Sequence, residues 1–178
     1  MKKIFVFVGD GGSGKSTLIA ELTKSYPDKF RKVVTCTSRS PRTSEVNGVD
    51  YHFLHATYFV NNPELVLIKQ TDKGDYYATR KVNLRADTHS PLLTLRFAGI
   101  PKLVNLGLDN VVIVRISITE DIKIERMRGR GDTEAMIVQR LKYDDEDRTG
   151  VNWEGFEIIE LQATDLLAEK VEQIIKAY

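Results

Sequence analysis

Apolar positions in this chain follow two rhythms. Ile4-Phe5-Val6-Phe7-Val8 and Val111-Val112-Ile113-Val114 are short unbroken runs, the pattern of strands buried on both faces of a parallel sheet. Leu18-Ile19 and Leu22 instead recur at helical spacing. Strands are predicted at 4–8, 32–36, 92–97, 110–118 and 156–159, and helices at 14–24, 101–107, 120–127, 133–147 and 164–176. Thr119, Thr133 and Thr164 stand where helix N-caps belong. The alternation predicts an α/β fold with a parallel sheet wrapped by helices. Residues 38–90 break the rhythm with turn signals (Asn47-Gly48, Asn61-Asn62-Pro63, Lys73-Gly74-Asp75) and short β-like pieces. That stretch is too long for a plain loop in a compact core and reads as a functional insertion.

The 178 residues suit one domain. A net charge of +1 gives no global field for nucleic acid or a membrane surface, and no apolar run is long enough to span a bilayer. The first apolar run leads into glycines rather than a cleavage site, so a signal peptide is not expected. Cys36 is the single cysteine, read as a small core residue, which fits a reducing cytoplasm. His52, His55 and His89 lack metal-ligand spacing, and the acidic run Asp144-Asp145-Glu146-Asp147 reads as a solvated helix face.

Gly9-Asp10-Gly11-Gly12-Ser13-Gly14-Lys15-Ser16-Thr17 fits G-x-x-x-x-G-K-[ST] and lies between a predicted strand and a predicted helix, where that motif holds phosphate. Its glycines let backbone N–H groups point inward, and the helix N-terminus adds positive potential. The expected ATP-binding set is Gly9, Gly12, Ser13, Gly14, Lys15, Ser16 and Thr17, with Lys15 neutralising β- and γ-phosphate charge and Ser16 ligating Mg²⁺. Two further features point to anions. Arg39 and Arg42 flank Pro41 with forked donors suited to a dianionic phosphate, and Tyr51 adds a hydroxyl. Arg126-Met127-Arg128-Gly129-Arg130-Gly131 alternates glycine and arginine between two helices, as in a mobile basic lid.

The order Thr37-Ser38-Arg39, Arg42, Glu45, Gly48, Tyr51-His52-Phe53, then Asp75-Tyr76-Tyr77, Arg126, Gly129-Arg130-Gly131 and Gln139-Arg140-Leu141 resembles the guanylate kinase family of nucleoside monophosphate kinases over most of the chain. The resemblance implies a three-layer P-loop kinase domain with core 1–37, 91–127 and 148–178, an acceptor-binding insertion 38–90 and a lid 128–147. It also implies that Arg39, Arg42, Tyr51 and Tyr77 hold the acceptor phosphate, and that Arg126, Arg130 and Arg140 surround the transferred phosphoryl group and donor phosphates. Lys15, Arg39, Arg130 and Arg140 are the expected catalytic set. The implied substrates are ATP, with Mg²⁺, and a nucleoside monophosphate. A monomer or small homo-oligomer in the cytoplasm is expected, with no membrane partner and nucleic acid not favoured.

The sequence departs from the family where the base is read. Counting back from Tyr77 without gaps, the guanine-reading glutamate is replaced by Ile68, followed by Lys69 and Gln70. Thr94 and Arg96 stand for the two aspartates ending the third strand, Thr35 for a serine, and Ala78-Thr79 follow the tyrosine pair. Thr35, Ile68, Gln70, Thr79, Thr94 and Arg96 are therefore the candidate base-binding residues. Without the strand-end aspartate, Asp10 is either a substitute magnesium anchor or a solvated loop residue. The leading expectation is a kinase for a (deoxy)nucleoside monophosphate whose base is not guanine. The alternatives are a GMP/dGMP kinase with a rearranged base site, a kinase acting on a hydroxyl of a modified base in DNA, and a non-catalytic guanylate-kinase-like binding module.

Overall fold

The structure, a computed structural model, describes residues 2–42, 45–129 and 131–178. Its centre is strand β1 (Ile4–Val8), in which all five side chains are buried. Phe5 and Phe7 enter one apolar layer while Ile4, Val6 and Val8 enter the other, which is why the run is apolar throughout rather than alternating. The first layer is covered by α1 (Lys15–Ser25) and, near the C-terminus, α5 (Leu167–Ala177), through Leu18, Leu22, Val171 and Ile174. The second is covered by α2 (Ile100–Val104) through Ile100 and Leu103. The strands β2 (Phe30–Lys32), β7 (Ser90–Thr94), β8 (Val111–Ser117) and β9 (Glu157–Gln162) complete an all-parallel sheet of order β2-β7-β1-β8-β9. Because β1 lies between β7 and β8, the loops leaving all three converge at one edge of the sheet, where open α/β folds bind ligands. Among the described residues no helix is long and apolar enough to cross a membrane.

The strand expected at 32–36 is two strands. Phe30–Lys32 pairs with β7, whereas β3 (Thr35–Thr37) belongs to a second sheet, so the core gives way to the insertion before residue 37. The apolar pair Val33-Val34 makes the segment look continuous although the chain changes sheets there. The second sheet runs β4 (Tyr51–Phe53), β3, β6 (Tyr76–Arg80), β5 (Leu65–Gln70) and closes over its own small core of Cys36, Phe59, Leu65 and Ala78.

Three other expectations shift. The third core strand ends at Thr94, and Leu95 to Phe97 leave the sheet. The last helix starts at Leu167 without a side-chain cap, so Thr164 does not cap it. Thr133 does cap α4 (Glu134–Arg148), accepting from the Met136 N–H at 3.3 Å. Helix α4 follows α3 (Glu120–Gly129), and only half of its acidic run is solvated: Asp145 and Glu146 are exposed, but Asp144 and Asp147, one turn apart, are buried.

Leu92, fully buried between β1 and β2, is expected to destabilise the fold by ~2–5 kcal/mol when replaced by alanine, because a close-packed core collapses only partly around the void. Urea unfolding of Leu92→Ala should show a lower midpoint at an unchanged slope.

Candidate active site

The loop after β1 is shaped by what its glycines permit. Gly9 has φ +148°, and a Cβ there would meet the Ile116 carbonyl oxygen of β8 at 2.4 Å. Gly14 is left-handed (φ 93°) at the N-cap of α1, which turns the chain directly into the helix. Lys15 curls back over the loop, its Nζ donating to the carbonyls of Gly9 and Asp10 at 2.7 Å each and to Ser13 Oγ at 3.2 Å. Burial and then the nearby Arg140 charge push its ammonium down to about 8. Ser13 is fully buried, whereas Ser16 and Thr17 stand exposed in the first turn of α1.

Two of the arginines expected around the donor phosphates reach this loop. Arg126 donates to Gly12 O at 2.8 Å and to Ala163 O at 3.2 Å. The Arg140 guanidinium lies 3.1 Å from the place where a Cβ on Gly11 would stand. Arg130 lies outside the described residues. Of the two lid glycines, Gly131 adopts a left-handed conformation (φ 89°), while Gly129 is the last residue of α3. A cleft of about 510 Å³ opens beside the loop, lined by Gly12, Lys15, Ser16, Arg126, Asp165 and Lys170, among others.

Of the second expected cluster, the side chains of Arg39, Tyr51 and Tyr77 come together although they lie far apart in sequence. Arg39 forms a two-pronged pair with Glu45 (2.7 and 2.6 Å), donates from Nε to the Tyr77 hydroxyl at 3.1 Å, and lies over the Tyr51 ring at 5.1 Å. Tyr51 and Tyr77 touch edge to face. Arg42 contributes its backbone N–H to the same Glu45 carboxylate at 2.8 Å and leaves its side chain exposed. The Arg39 hydrogen bond holds Glu45 down at about 2, so the pair stays ionised throughout the neutral range.

The base-side expectations divide. Residues opposite one another on paired strands share a face, so Thr37, Tyr77 and Lys69 look one way, with Thr35 and Thr79 beside them. Ile68 packs instead into the small core on the other face, and Gln70, opposite Tyr76, donates to Gly74 O at 3.3 Å. Neither joins the face that carries Tyr77. The pairing of Lys69 with Tyr77 and Gln70 with Tyr76 sets these faces, which a gapless count of positions does not contain; a bulge between Val66 and Lys69, with Leu67 at φ 55°, follows further along β5. Thr94 is exposed at the end of β7. Arg96 turns toward α4, pairing with Asp147 at 3.2 Å and Asp144 at 3.6 Å, so it does not project freely into a base pocket.

Sequence reasoning missed a network around α4. Lys123, 1% exposed, sits 2.6 Å from Asp144 Oδ2 and 3.2 Å from Asp10 Oδ2. Asp10 also pairs with Arg148 at 3.3 Å. It is therefore a buried, paired carboxylate rather than a solvated loop residue. Asp147 accepts from the Phe97 N–H at 2.9 Å and lies 3.8 Å from Lys69 of β5. The available signal was the i, i+3 spacing of Asp144 and Asp147, which turns one edge of an acidic run toward the core.

A glycine-shaped phosphate loop on the central strand of a parallel sheet, with a second sheet inserted beside it, defines a P-loop nucleotide kinase fold. The comparisons give the family. The guanylate kinase family model matches residues 1–178. A guanylate kinase of Idiomarina loihiensis is 33% identical over 147 residues, covering 78% of this chain and 69% of that protein. Guanylate kinase 1 of Oryza sativa subsp. japonica is 52% identical over 155 residues, 79% of this chain and 38% of that protein. The match to the Chlamydia felis guanylate kinase, 43% over 74 residues, spans only 32% of that protein. The crystal structure of guanylate kinase from Anaplasma phagocytophilum superposes with a TM-score of 0.71 at 22% identity, over 99% of this chain and 84% of that one. The chain belongs to the guanylate kinase family.

The depressed Lys15 has a consequence for stability. Between its folded value of about 8 and its ordinary 10.5, the unfolded chain holds a proton that the folded chain has released, so folding stability from this group rises with pH across that window. Urea unfolding of wild type and Lys15→Met at pH 8 and pH 10 should show the wild-type stability gaining on the variant's as pH rises.

Proposed function

We propose that the protein is an ATP-dependent nucleoside monophosphate kinase, transferring the γ-phosphoryl group of ATP to the phosphate of a (deoxy)nucleoside monophosphate. The observation that carries this reading is the single helix α4. Its Arg140 lies over the phosphate loop, its Asp147 approaches Lys69 of the insertion, and the Tyr143 hydroxyl approaches Asp72 at 3.5 Å. One element thus touches both the phosphate loop and the insertion that carries the Arg39 cluster. Phosphoryl transfer demands two anions brought into line, neutralised and screened from water, and little covalent help. On this reading Lys15 exchanges its carbonyl partners for the donor's β- and γ-phosphate oxygens. Arg126 and Arg140 flank those oxygens, with Arg130 of the same segment joining them. Arg39, Arg42, Tyr51 and Tyr77 hold the acceptor phosphate, with Glu45 keeping the Arg39 fork aligned. Family membership supports the same assignment.

Magnesium fits the donor side. It binds through one or two protein oxygens plus water and phosphate oxygens, and Ser16 offers an exposed hydroxyl at the start of α1. Among the described residues no group of three or more His, Cys, Asp or Glu gathers as a metal cage, which is consistent with an ion held mainly by nucleotide. When bound, the ion draws negative charge from the phosphate oxygens.

For the base, the reading is a pyrimidine. The face shared with Tyr77 carries the Thr35 hydroxyl and the Lys69 ammonium, with the buried Thr79 behind them, and β5 and β6 contain no carboxylate. Donors and hydroxyls complement the acceptor-donor-acceptor edge of thymine or uracil, whereas guanine's N1–H and N2 amino group call for an acceptor. The relatives' names favour a second reading, guanine. In that case the acceptor would come from Asp147, which cations and backbone N–H groups already occupy.

Lys15→Ala should lose at least about a hundredfold in transfer rate, since charge developing on the phosphoryl oxygens would go unmatched; near-wild-type turnover would defeat the kinase reading. Rates with GMP, dGMP, dTMP, dUMP and a 5-hydroxymethyl pyrimidine nucleotide decide the base. The pyrimidines should exceed GMP by at least about tenfold in kcat/KM, and a GMP preference would establish the second reading.

A further inference from the structure

Lys123 is a buried ammonium on α3 that the proposed chemistry does not use. Its nearest neighbours come from two other segments: Asp10 of the phosphate loop at 3.2 Å and Asp144 of α4 at 2.6 Å. We propose that Lys123 is a positioning residue for phosphoryl transfer, pinning α4 to the phosphate loop so that Arg140 stands over Gly11 before any nucleotide arrives.

Three observations support this. First, Arg140 precedes Asp144 by one helical turn, and its Nε lies 3.4 Å from Asp144 Oδ1 while Lys123 takes Oδ2. A pin at Asp144 therefore fixes where Arg140 projects. Second, each carboxylate of the pin has another cation: Arg148 for Asp10, and Arg96 and Arg140 for Asp144. Lys123 is thus not needed to spare either aspartate from burial without a counter-charge. Third, a buried ion triad commonly holds no stability advantage over apolar packing of the same volume; its best-attested role is to select one arrangement. The arrangement selected here joins the cations Lys69, Arg96, Lys123, Arg140 and Arg148 to the carboxylates of Asp10, Asp144, Asp145 and Asp147, which they outnumber. The surplus is positive where donor phosphates would lie, and a preset electrostatic environment costs no reorganisation when charge develops.

The proposal rests on the kinase reading, and its test uses two readouts so that the two can fail separately. The variants are Lys123→Met, which replaces the ammonium by an apolar chain of similar length, and Lys123→Met/Asp144→Asn, which also neutralises the facing carboxylate in case the single variant folds poorly. At saturating substrates kcat should fall at least about tenfold in both variants, while the KM values for ATP and for the accepted nucleotide stay within about threefold. Without nucleotide, amide hydrogen exchange across 134–148 should be faster in both variants than in wild type, with exchange in β1 and β8 unchanged. Return of wild-type kcat in the double variant would reduce Lys123 to a charge balancer and overturn the proposal, as would unchanged exchange in α4. If wild type itself transfers no phosphoryl group to any monophosphate, the kinase reading fails, and the exchange measurement alone decides whether Lys123 pins α4.

Discussion

The electrostatic contact between α4 and the loops at the C-terminal edge of the sheet organises much of what surrounds it. A parallel sheet covered on both faces brings the phosphate loop, the end of β7 and the turn after β8 to one rim, but nothing in sheet packing says where α4 should lie across that rim. Apolar contact contributes little direction there: of α4's residues only Ile137 is a buried hydrophobe. Direction comes instead from Asp144 and Asp147, each held by cations from other segments, and from two backbone N–H groups, Phe97 and Ala98, that point at Asp147. Charge pairs are poor glue but strict about geometry, and here they fix where Arg140 projects.

The insertion solves a different problem. Its four short strands bury only a small apolar cluster of their own, so most of their order is spent presenting one face. On that face the Arg39 guanidinium is framed by Glu45, Tyr77 and the Tyr51 ring. A planar cation framed in this way loses little freedom on meeting an anion, which is where arginine surpasses lysine.

The parts of this molecule legible in the sequence are those whose signal is local. The phosphate loop was visible because glycines, Lys15 and the flanking apolar runs are contiguous, and β1, α1 and the Thr133 cap follow from the same kind of reading. Of the Arg39 cluster, Arg39, Arg42 and Tyr51 were legible as anion binders from their chemistry around Pro41, whereas Tyr77 joined them only through a resemblance, since nothing in its spacing brings it to Arg39. Three features escaped for physical reasons. The Val33-Val34 pair is apolar on both sides of a change of sheet, so no polar residue marks it. Asp144 and Asp147 look like the rest of a charged run because burial of an acid depends on cations supplied by distant segments. Ile68 and Gln70 lie on the face opposite Lys69 because pairing sets Lys69 against Tyr77 and Gln70 against Tyr76, and a count of positions along the chain does not contain that register.

The bulge in β5 has a consequence beyond this chain. With Leu67 in the left-handed region and the pairing resumed at Lys69–Tyr77, β5 carries a slack residue next to the face that carries Tyr77. Loss or gain of one residue at that point would exchange which side chains the strand shows to the cleft and which it shows to the small core, while Tyr77, Arg39 and the phosphate cluster stay in place. Base preference in such a scaffold can therefore diverge through a change in strand length as readily as through substitution, leaving the phosphate-handling machinery untouched. Lineages that differ in what they read need not differ at the position an alignment would compare.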